Sequence, residues 1–186
     1  MSTTSLVVWA LLALVLLVLV VAASRPDHFR VERSRLVPAS AVQVLALVQD
    51  FHRWVEWSPW ENIDPSMQRN YSGAASGVGA VYAWSGTGKA GAGRMEIREA
   101  EADRVLIQLD FSKPFTAHNM AEFTLVNAGD ATHITWAMFG PSPFVSKLMG
   151  LVFNMDKFIG ADFEKGLANM QAVLQGQSDG ATPAPH

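Results

Sequence analysis

The chain has 186 residues, of which 49% are hydrophobic and 17% charged, so it can bury one substantial core and is not an intrinsically disordered protein. Its formal net charge is -3, and its lysines and arginines are scattered rather than gathered into a stripe, which argues against a nucleic-acid partner. The sequence contains no cysteine, which excludes disulfides, thiolate metal sites and thiol nucleophiles.

An uncharged apolar segment runs from Leu6 to Ala23. As a helix it would rise about 27 Å, close to the thickness of the hydrocarbon core of a bilayer. A signal peptide is the alternative, because Val21-Ala22-Ala23 is a small-residue cleavage site before Ser24. Residues Met1–Ser5 contain no lysine or arginine, and the apolar run is longer than a usual signal core. We therefore favour a retained transmembrane anchor over residues 1–24.

Four arginines follow this segment, at positions Arg25, Arg30, Arg33 and Arg35, and no basic residue precedes it. The positive-inside tendency places the globular part in the cytoplasm, as the soluble domain of a single-pass protein. The alternative is that these arginines belong to a folded strand and carry no topological signal. The domain would then be periplasmic or secreted after signal cleavage.

Short elements follow the anchor. His28–Val37 has extended character, and Pro38 ends it. Ser40 is a helix cap, and apolar residues at helical spacing predict one or two short helices up to Trp54. The next stretch, Trp57–Pro65, is rich in tryptophan and proline and predicts an irregular loop.

Beyond this loop the hydrophobic period changes to two, which indicates strands. Each run is separated from the next by a turn rich in glycine, proline, asparagine or aspartate, which predicts consecutive hairpins and an antiparallel meander. The predicted strands are Met67–Ser72, Gly79–Ser85, Gly91–Glu101, Arg104–Phe111, Phe115–Val126 and Thr132–Gly140.

The pattern then becomes helical from Phe144 to Leu174, with apolar residues on one broad face. A helix of this length would span about 45 Å and must lie along a whole sheet. Gly160 and Gly166 within it indicate a bend or a close backbone approach. The predicted fold is therefore α+β, with a curved antiparallel sheet of about seven strands around one long C-terminal helix. We expect this domain to cover residues 25–175 and residues 176–186 to form a disordered tail.

The order of elements and several short motifs resemble the polyketide cyclase/dehydrase-like branch of the START-related, birch-pollen-allergen-like superfamily. The resemblance covers about residues 29–174 and implies a helix-grip fold with a hydrophobic pocket. It implies no particular ligand or reaction, because members of the family differ in both. The motifs that carry it are Trp57–Trp60, Asp64-Pro65, Gly77-Val78-Gly79 with Tyr82 and Trp84, Gly91–Ile97, Thr132–Trp136 and Phe163–Leu167.

The sequence offers no catalytic constellation. The G-x-G-x-x-G run at Gly86–Gly91 lacks the helix that a dinucleotide site needs, so a hairpin turn is the better interpretation. His118, His133 and Glu122 alternate with apolar residues and should face solvent, as should Glu96 and Asp110. We therefore assign no catalytic residue, and we expect no metal site and no cofactor.

The inner face of the predicted sheet is the candidate pocket. Tyr82, Trp84 and Trp136 have polar tips that are awkward in a dry core, and a buried Asn119 amide without a partner would cost about 1–3 kcal/mol. Such groups can orient the polar end of an apolar guest, although an ordinary core is the plainer interpretation of each single residue. The predicted ligand-binding residues are Trp57, Trp60, Tyr82, Trp84, Met95, Ile97, Leu109, Asn119, Phe123, Trp136, Met155, Phe158 and Ile159.

Three functions remain open. The leading hypothesis is a membrane-anchored binding or carrier domain for a hydrophobic small molecule, such as a lipid, a quinone or a polyketide-like compound. The first rival is a cyclase or dehydratase in which Tyr82 or Asn119 polarises a carbonyl, although a credible internal base is missing. The second rival is a module that regulates another membrane protein through an exposed Trp57–Trp60 loop. The sequence does not define an oligomeric state.

Overall fold

A computed structural model describes residues 2–180. Helix α1 (Thr3–Ala23) is followed by α2 (Ala41–Val48), a 3₁₀ helix (Phe51–Glu56), α3 (Phe144–Met149) and α4 (Met155–Gly180). Helix α1 is long and apolar enough to cross a membrane, a property that signal sequences share. Ser40 caps α2 through a capping box with Gln43, as its position before the apolar run predicts.

Seven antiparallel strands form one open sheet, which confirms the predicted α+β fold. The spatial order is β1-β7-β6-β5-β4-β3-β2, so every strand after β1 pairs with its neighbour in sequence. The edges of the sheet are therefore β1 and the short strand β2. The strands are β1 (His28–Val37), β2 (Gln68–Gly73), β3 (Ala80–Ser85), β4 (Ala92–Ala100), β5 (Arg104–Lys113), β6 (Ala117–Ala128) and β7 (Ala131–Pro141).

The register defines two ends of the sheet. The start of β1 pairs with the end of β7, with His28 opposite Pro141. The loops 86–91 and 114–116 and the segment 142–154 lie at this same end, which we call the proximal end because α1 leads into it. The connections 74–79, 101–103 and 129–130 lie at the opposite, distal end.

The sequence predicts one continuous helix from Phe144 to Leu174, and its continuity is wrong because the structure divides it into α3 and α4. Gly150 ends α3, and the Asn154 side chain accepts a hydrogen bond from the Lys157 N–H at 3.0 Å, which caps α4. Helix α4 also continues to Gly180, beyond the boundary predicted at residue 175. The rest of the predicted tail, residues 181–186, lies outside the described residues.

Helix α4 lies along the inner face of the sheet and is tied to the edge strand β1. The Arg33 guanidinium donates to Asp156 at 3.0 Å and to Glu164 at 2.8 Å. A Cβ at Gly160 would lie 2.0 Å from the Arg33 guanidinium, and one at Gly166 would lie 2.8 Å from Trp136. Both glycines therefore permit the close approach that the sequence indicates.

Candidate functional site

The distal half of the inner face is a filled core. Its strand residues are completely buried beneath α2, the 3₁₀ helix and the second half of α4. Such a layer of fully buried apolar side chains is typical of a protein interior. The strand residues with no exposed surface are Val37, Ile97, Val105, Ile107, Phe123 and Ile134.

Trp136 is at the centre of this core. Its ring stacks on Phe163, with centroids 4.3 Å apart, and on Phe123, with centroids 5.0 Å apart. Trp57 and Trp60 each meet it edge-to-face at 5.3 Å. The predicted residues Trp57, Trp60, Phe123 and Trp136 are thus packed against one another.

The expectation that the Trp57–Trp60 loop is exposed is wrong. Trp57 is 1% exposed and donates its indole N–H to the Leu47 carbonyl at 3.2 Å. The loop folds back beneath α4, where the Asn169 amide donates to the Trp57 carbonyl at 3.1 Å. A partner-binding role for this loop therefore loses its basis.

The indole N–H of Trp136 has no hydrogen-bond partner among residues 2–180, although the side chain is only 2% exposed. Trp54 and Trp57, in contrast, both donate to backbone carbonyls. An unpaired buried donor costs free energy. The sequence predicts that the polar tip of Trp136 would be hard to satisfy in a dry core, and the unpaired indole N–H agrees with that prediction.

The proximal half of the inner face is less covered. Trp84, Leu109 and Phe111 are only half-buried, although they point to the same side of the sheet as the core. Asn119 and Met138 lie between them and the edge strand β1, and each is less than a tenth exposed. We take this apolar and less covered part of the inner face as the candidate site and call it the proximal cleft. The predicted residue Met95 lies on its floor, opposite Leu109.

The first turns of α4 do not close this cleft. Phe158 precedes Asn169 by three helical turns and so lies on the side of α4 that faces the Trp57–Trp60 loop. Nevertheless Phe158 is 74% exposed and Met155 is 52% exposed, whereas Ile159 is half-buried against the core. Phe158 and Met155 are thus apolar side chains on the first turns of α4 that the described chain leaves largely uncovered.

Asn119 is the polar group within this apolar lining. Its Oδ1 atom lies 2.3 Å from the position that a Cβ at Gly140 would take, so glycine on β7 makes room for the amide. No hydrogen bond involves the Asn119 side chain in the described part of the chain. The amide is thus free to donate and to accept toward a guest.

Tyr82 is engaged elsewhere, in a buried cluster that the sequence does not predict. Its hydroxyl donates to Glu61 at 2.8 Å, and Arg69 donates to the other Glu61 oxygen at 2.6 Å. Burial, together with the Glu61 carboxylate, raises the pKa of the Tyr82 hydroxyl above its usual value. Tyr82 therefore remains protonated and already donates its only hydroxyl hydrogen.

The glycine-rich run Gly86–Gly91 is the β3–β4 hairpin loop, as predicted. It binds a carboxylate of its own chain, because the Gly88 N–H donates to Asp64 at 2.9 Å. A Cβ at Gly88 would lie 2.9 Å from the same carboxylate oxygen, so the close approach requires glycine. Ser66 completes the cluster by donating its hydroxyl and its backbone N–H to Asp64.

We expect this cluster to make the fold sensitive to acid. The hydrogen bonds from the Ser66 hydroxyl and backbone hold the pKa of Asp64 below its usual value. A carboxyl whose pKa is lowered on folding stabilises the fold above its unfolded pKa, and that contribution is lost as the pH falls through the folded pKa. Melting curves of the wild type and of Asp64→Asn should therefore differ near neutral pH and converge in acid. A difference that persists at the lowest pH would contradict this role.

The outer face of the sheet is charged and solvated. His118 points outward and pairs with Asp110 at 2.8 Å, and Glu122 is bridged by Arg30 and Arg104. His133 is also exposed. The alternation therefore predicts correctly which side chains on β6 and β7 face away from the interior.

The predicted site residues divide between the two halves of the molecule. Phe111 and Met138, which are not among them, also line the proximal cleft, and their inward parity is the signal that identifies them. The packed interior contains Trp57, Trp60, Tyr82, Ile97, Phe123 and Trp136. The proximal cleft contains Trp84, Met95, Leu109 and Asn119, and the first turns of α4 carry Met155, Phe158 and Ile159.

A curved antiparallel sheet around a C-terminal helix defines the helix-grip class of proteins. The chain belongs to the family described as polyketide cyclase / dehydrase and lipid transport, whose profile matches residues 28–175. It is therefore a hydrophobic ligand-binding or cyclase domain. No curated protein matches the chain.

Solved structures share the fold at low sequence identity. The protein of unknown function SA2116 from Staphylococcus aureus is 12% identical, with a TM-score of 0.61 over 82% of this chain and 97% of that one. The di-domain ARO/CYC StfQ from the steffimycin biosynthetic pathway is 8% identical, with a TM-score of 0.63 over 82% of this chain and 52% of that one. Ara h 8.0201 is 10% identical, with a TM-score of 0.54 over 80% and 99%.

Proposed function

We propose that this protein is a membrane-anchored binding or carrier domain for a hydrophobic small molecule, such as a lipid, a quinone or a polyketide-like compound. The observation that carries the proposal is the proximal cleft, an apolar surface with one unpartnered amide at Asn119. Ligand sites commonly combine an apolar lining with few polar groups that fix orientation. The guest's polar end is expected to meet Asn119, with its apolar body between Leu109, Phe111 and Trp84.

Helix α1 supports a membrane location for this task. It leads into the sheet at the end where the cleft opens, because only the link 24–27 separates Ala23, the last residue of α1, from His28, the first residue of β1. We propose that residues 1–24 are a retained single-pass anchor and that the domain from residue 25 is cytoplasmic. An apolar guest partitions into the bilayer, so a tethered cleft meets it there.

A cyclase or dehydratase is the alternative function. It needs a group that polarises a carbonyl, and the hydroxyl of Tyr82 is already committed to Glu61. Asn119 remains as a candidate, but an amide is not a general base at neutral pH. The chemistry of the cleft therefore favours binding over turnover.

Substituting Asn119→Leu should weaken retention of an apolar guest. Loss of one buried hydrogen bond of about 1 kcal/mol would lower affinity about fivefold. Native mass spectrometry of the full chain, released from detergent, measures the fraction that carries a co-purified apolar compound. His118→Ala is the matched control, because His118 is the preceding residue on β6 and faces solvent. Equal occupancy in the wild type and in both variants would contradict a role for Asn119, and turnover of a polyketide-like substrate would favour the enzyme.

Retention of α1 is tested separately by fractionation of cells. The chain should begin at or near its first residues and stay with membranes after a carbonate wash, because an apolar helix of about 30 Å inserts stably. A mature chain that begins at Ser24 and is released by carbonate would show instead that α1 is a cleaved signal sequence.

A further inference from the structure

The proximal end of the domain carries apolar side chains that no part of the described chain covers. They lie on α3, on the segment between α3 and α4 and on the β5–β6 turn, and most are at least half exposed. Isolated exposed apolar residues are ordinary, but a group at one end of a domain indicates an interaction surface. We name this group the proximal apolar patch: Phe115, Phe144, Val145, Met149, Val152 and Phe153.

The structure holds this patch against the end of α1. Helix α1 contacts α3, and Ala22 near the end of α1 is fully buried. The Arg25 guanidinium donates to the Gly150 carbonyl at 3.0 Å, and the Ser142 N–H donates to the Asp27 carbonyl at 2.6 Å. Lys147 on α3 is buried and forms an ion pair with Asp27. Arg25 and Asp27, which follow α1, thus bind residues in the segment 142–150, which carries most of the patch.

The charges of the two ends differ in sign. At the proximal end, residues 24–27, 86–91, 113–116 and 142–154 contain Arg25, Lys89, Lys113 and Lys147 and one acidic residue, Asp27, which pairs with Lys147. Asp64, which the loop 86–91 binds, adds a second carboxylate, so the basic residues remain in excess. The distal connections 38–50, 74–79, 101–103 and 128–130 contain Asp50, Glu101, Asp103 and Asp130, and no lysine or arginine. Basic residues are attracted to anionic lipid headgroups, and acidic residues are repelled by them. Charge and apolar exposure therefore orient the same end of the domain toward a membrane surface.

We propose that the proximal apolar patch is seated in the headgroup and acyl boundary of the leaflet from which α1 emerges. Apolar faces of peripheral segments enter this boundary to a depth of about 5–10 Å. The cleft beside Phe158 then opens onto the lipid phase, so that a guest passes between bilayer and cleft without crossing water. This inference rests on the proposed function, because it requires α1 to be a retained anchor.

Site-directed labelling of the full chain tests this placement. The chain has no cysteine, so single cysteines can carry an environment-sensitive nitrobenzoxadiazole label. The positions are Val145→Cys and Phe153→Cys in the patch, Ala102→Cys in a distal hairpin and Leu14→Cys within α1. Each variant is reconstituted into vesicles of phosphatidylcholine and phosphatidylglycerol, with and without a lipid that carries a doxyl quencher on its acyl chain.

Labels at positions 145 and 153 should emit at shorter wavelength than the label at 102. The doxyl lipid should quench the labels at 145 and 153 and leave the emission of the label at 102 unchanged. The doxyl lipid should also quench the label at 14, which serves as the control for membrane insertion of α1. If the label at 14 is quenched but those at 145 and 153 behave like the one at 102, the patch faces water and the inference is overturned while the anchor stands. If the label at 14 is not quenched, the anchor itself is refuted.

Discussion

Trp136→Ala should lower the free energy of unfolding by about 3–5 kcal/mol, the range for removing a large aromatic side chain from a packed core. The substitution empties the space between Phe123 and Phe163, on which the indole stacks. It also removes the ring that packs against the backbone of Gly166, a contact that a Cβ at this position would obstruct. Urea unfolding of the full chain in micelles, followed by circular dichroism, measures the change.

Trp136→Phe is the matched control for that experiment. It retains a ring in the stack and removes an indole N–H that has no partner among the described residues. Phenylalanine buries less apolar area than tryptophan, but this loss is offset because the unsatisfied donor is removed. We therefore expect the free energy of unfolding to fall by about 1 kcal/mol or less. If the alanine variant is as stable as the phenylalanine variant, Trp136 does not organise the core.

Glu61→Ala should destabilise the protein by about 2–3 kcal/mol, less than the usual cost of about 3–5 kcal/mol for removing one partner of a buried ion pair. Glu61 is 4% exposed, and its removal leaves the Arg69 guanidinium and the Tyr82 hydroxyl without their shared acceptor. We lower the range because the Arg69 side chain is 31% exposed and water can solvate it. Thermal and urea unfolding of the full chain measure the loss.

Glu96→Ala is the control, because Glu96 also pairs with two residues, Arg94 and Arg98, but on the outer face of the sheet. The two arginines are 42% and 46% exposed, so solvent screens these pairs and each contributes about 0–1 kcal/mol. Glu61→Gln should lie between wild type and Glu61→Ala, since an amide oxygen can still accept from Tyr82. Equal losses from Glu61→Ala and Glu96→Ala would contradict a special role for the buried cluster.

Strand alternation accounts for what the sequence predicts well. Side chains on a strand point alternately to opposite faces, so the apolar partners of Trp136 and Phe123 define the inner face without knowledge of the fold. Asn119 is placed inside and His118 outside by the same rule, and the structure confirms both orientations. Turns rich in glycine and asparagine fix the order of the hairpins for a similarly local reason.

Contacts between distant segments account for what the sequence does not predict. Nothing local indicates that the loop at Trp57 folds under α4, or that Glu61 meets an arginine eight residues away and a tyrosine 21 residues away. Periodicity places Phe158 and Met155 on the apolar face of a helix, but it cannot distinguish a face that packs on protein from one that remains uncovered. The division of the inner face into a filled half and an open half is therefore a tertiary property.

The short edge strand β2 has a consequence for crowding if α1 is the retained anchor proposed above. Tethered chains meet in two dimensions, where an unpaired strand edge is a template for pairing with another copy. Strand β2 has six residues, only Tyr71 among them is even half-buried, and it ends at Gly73 with a φ of 74°. A strand this short and polar presents few aligned backbone groups. The shortness and polarity of β2 thus limit pairing of this edge with neighbouring copies.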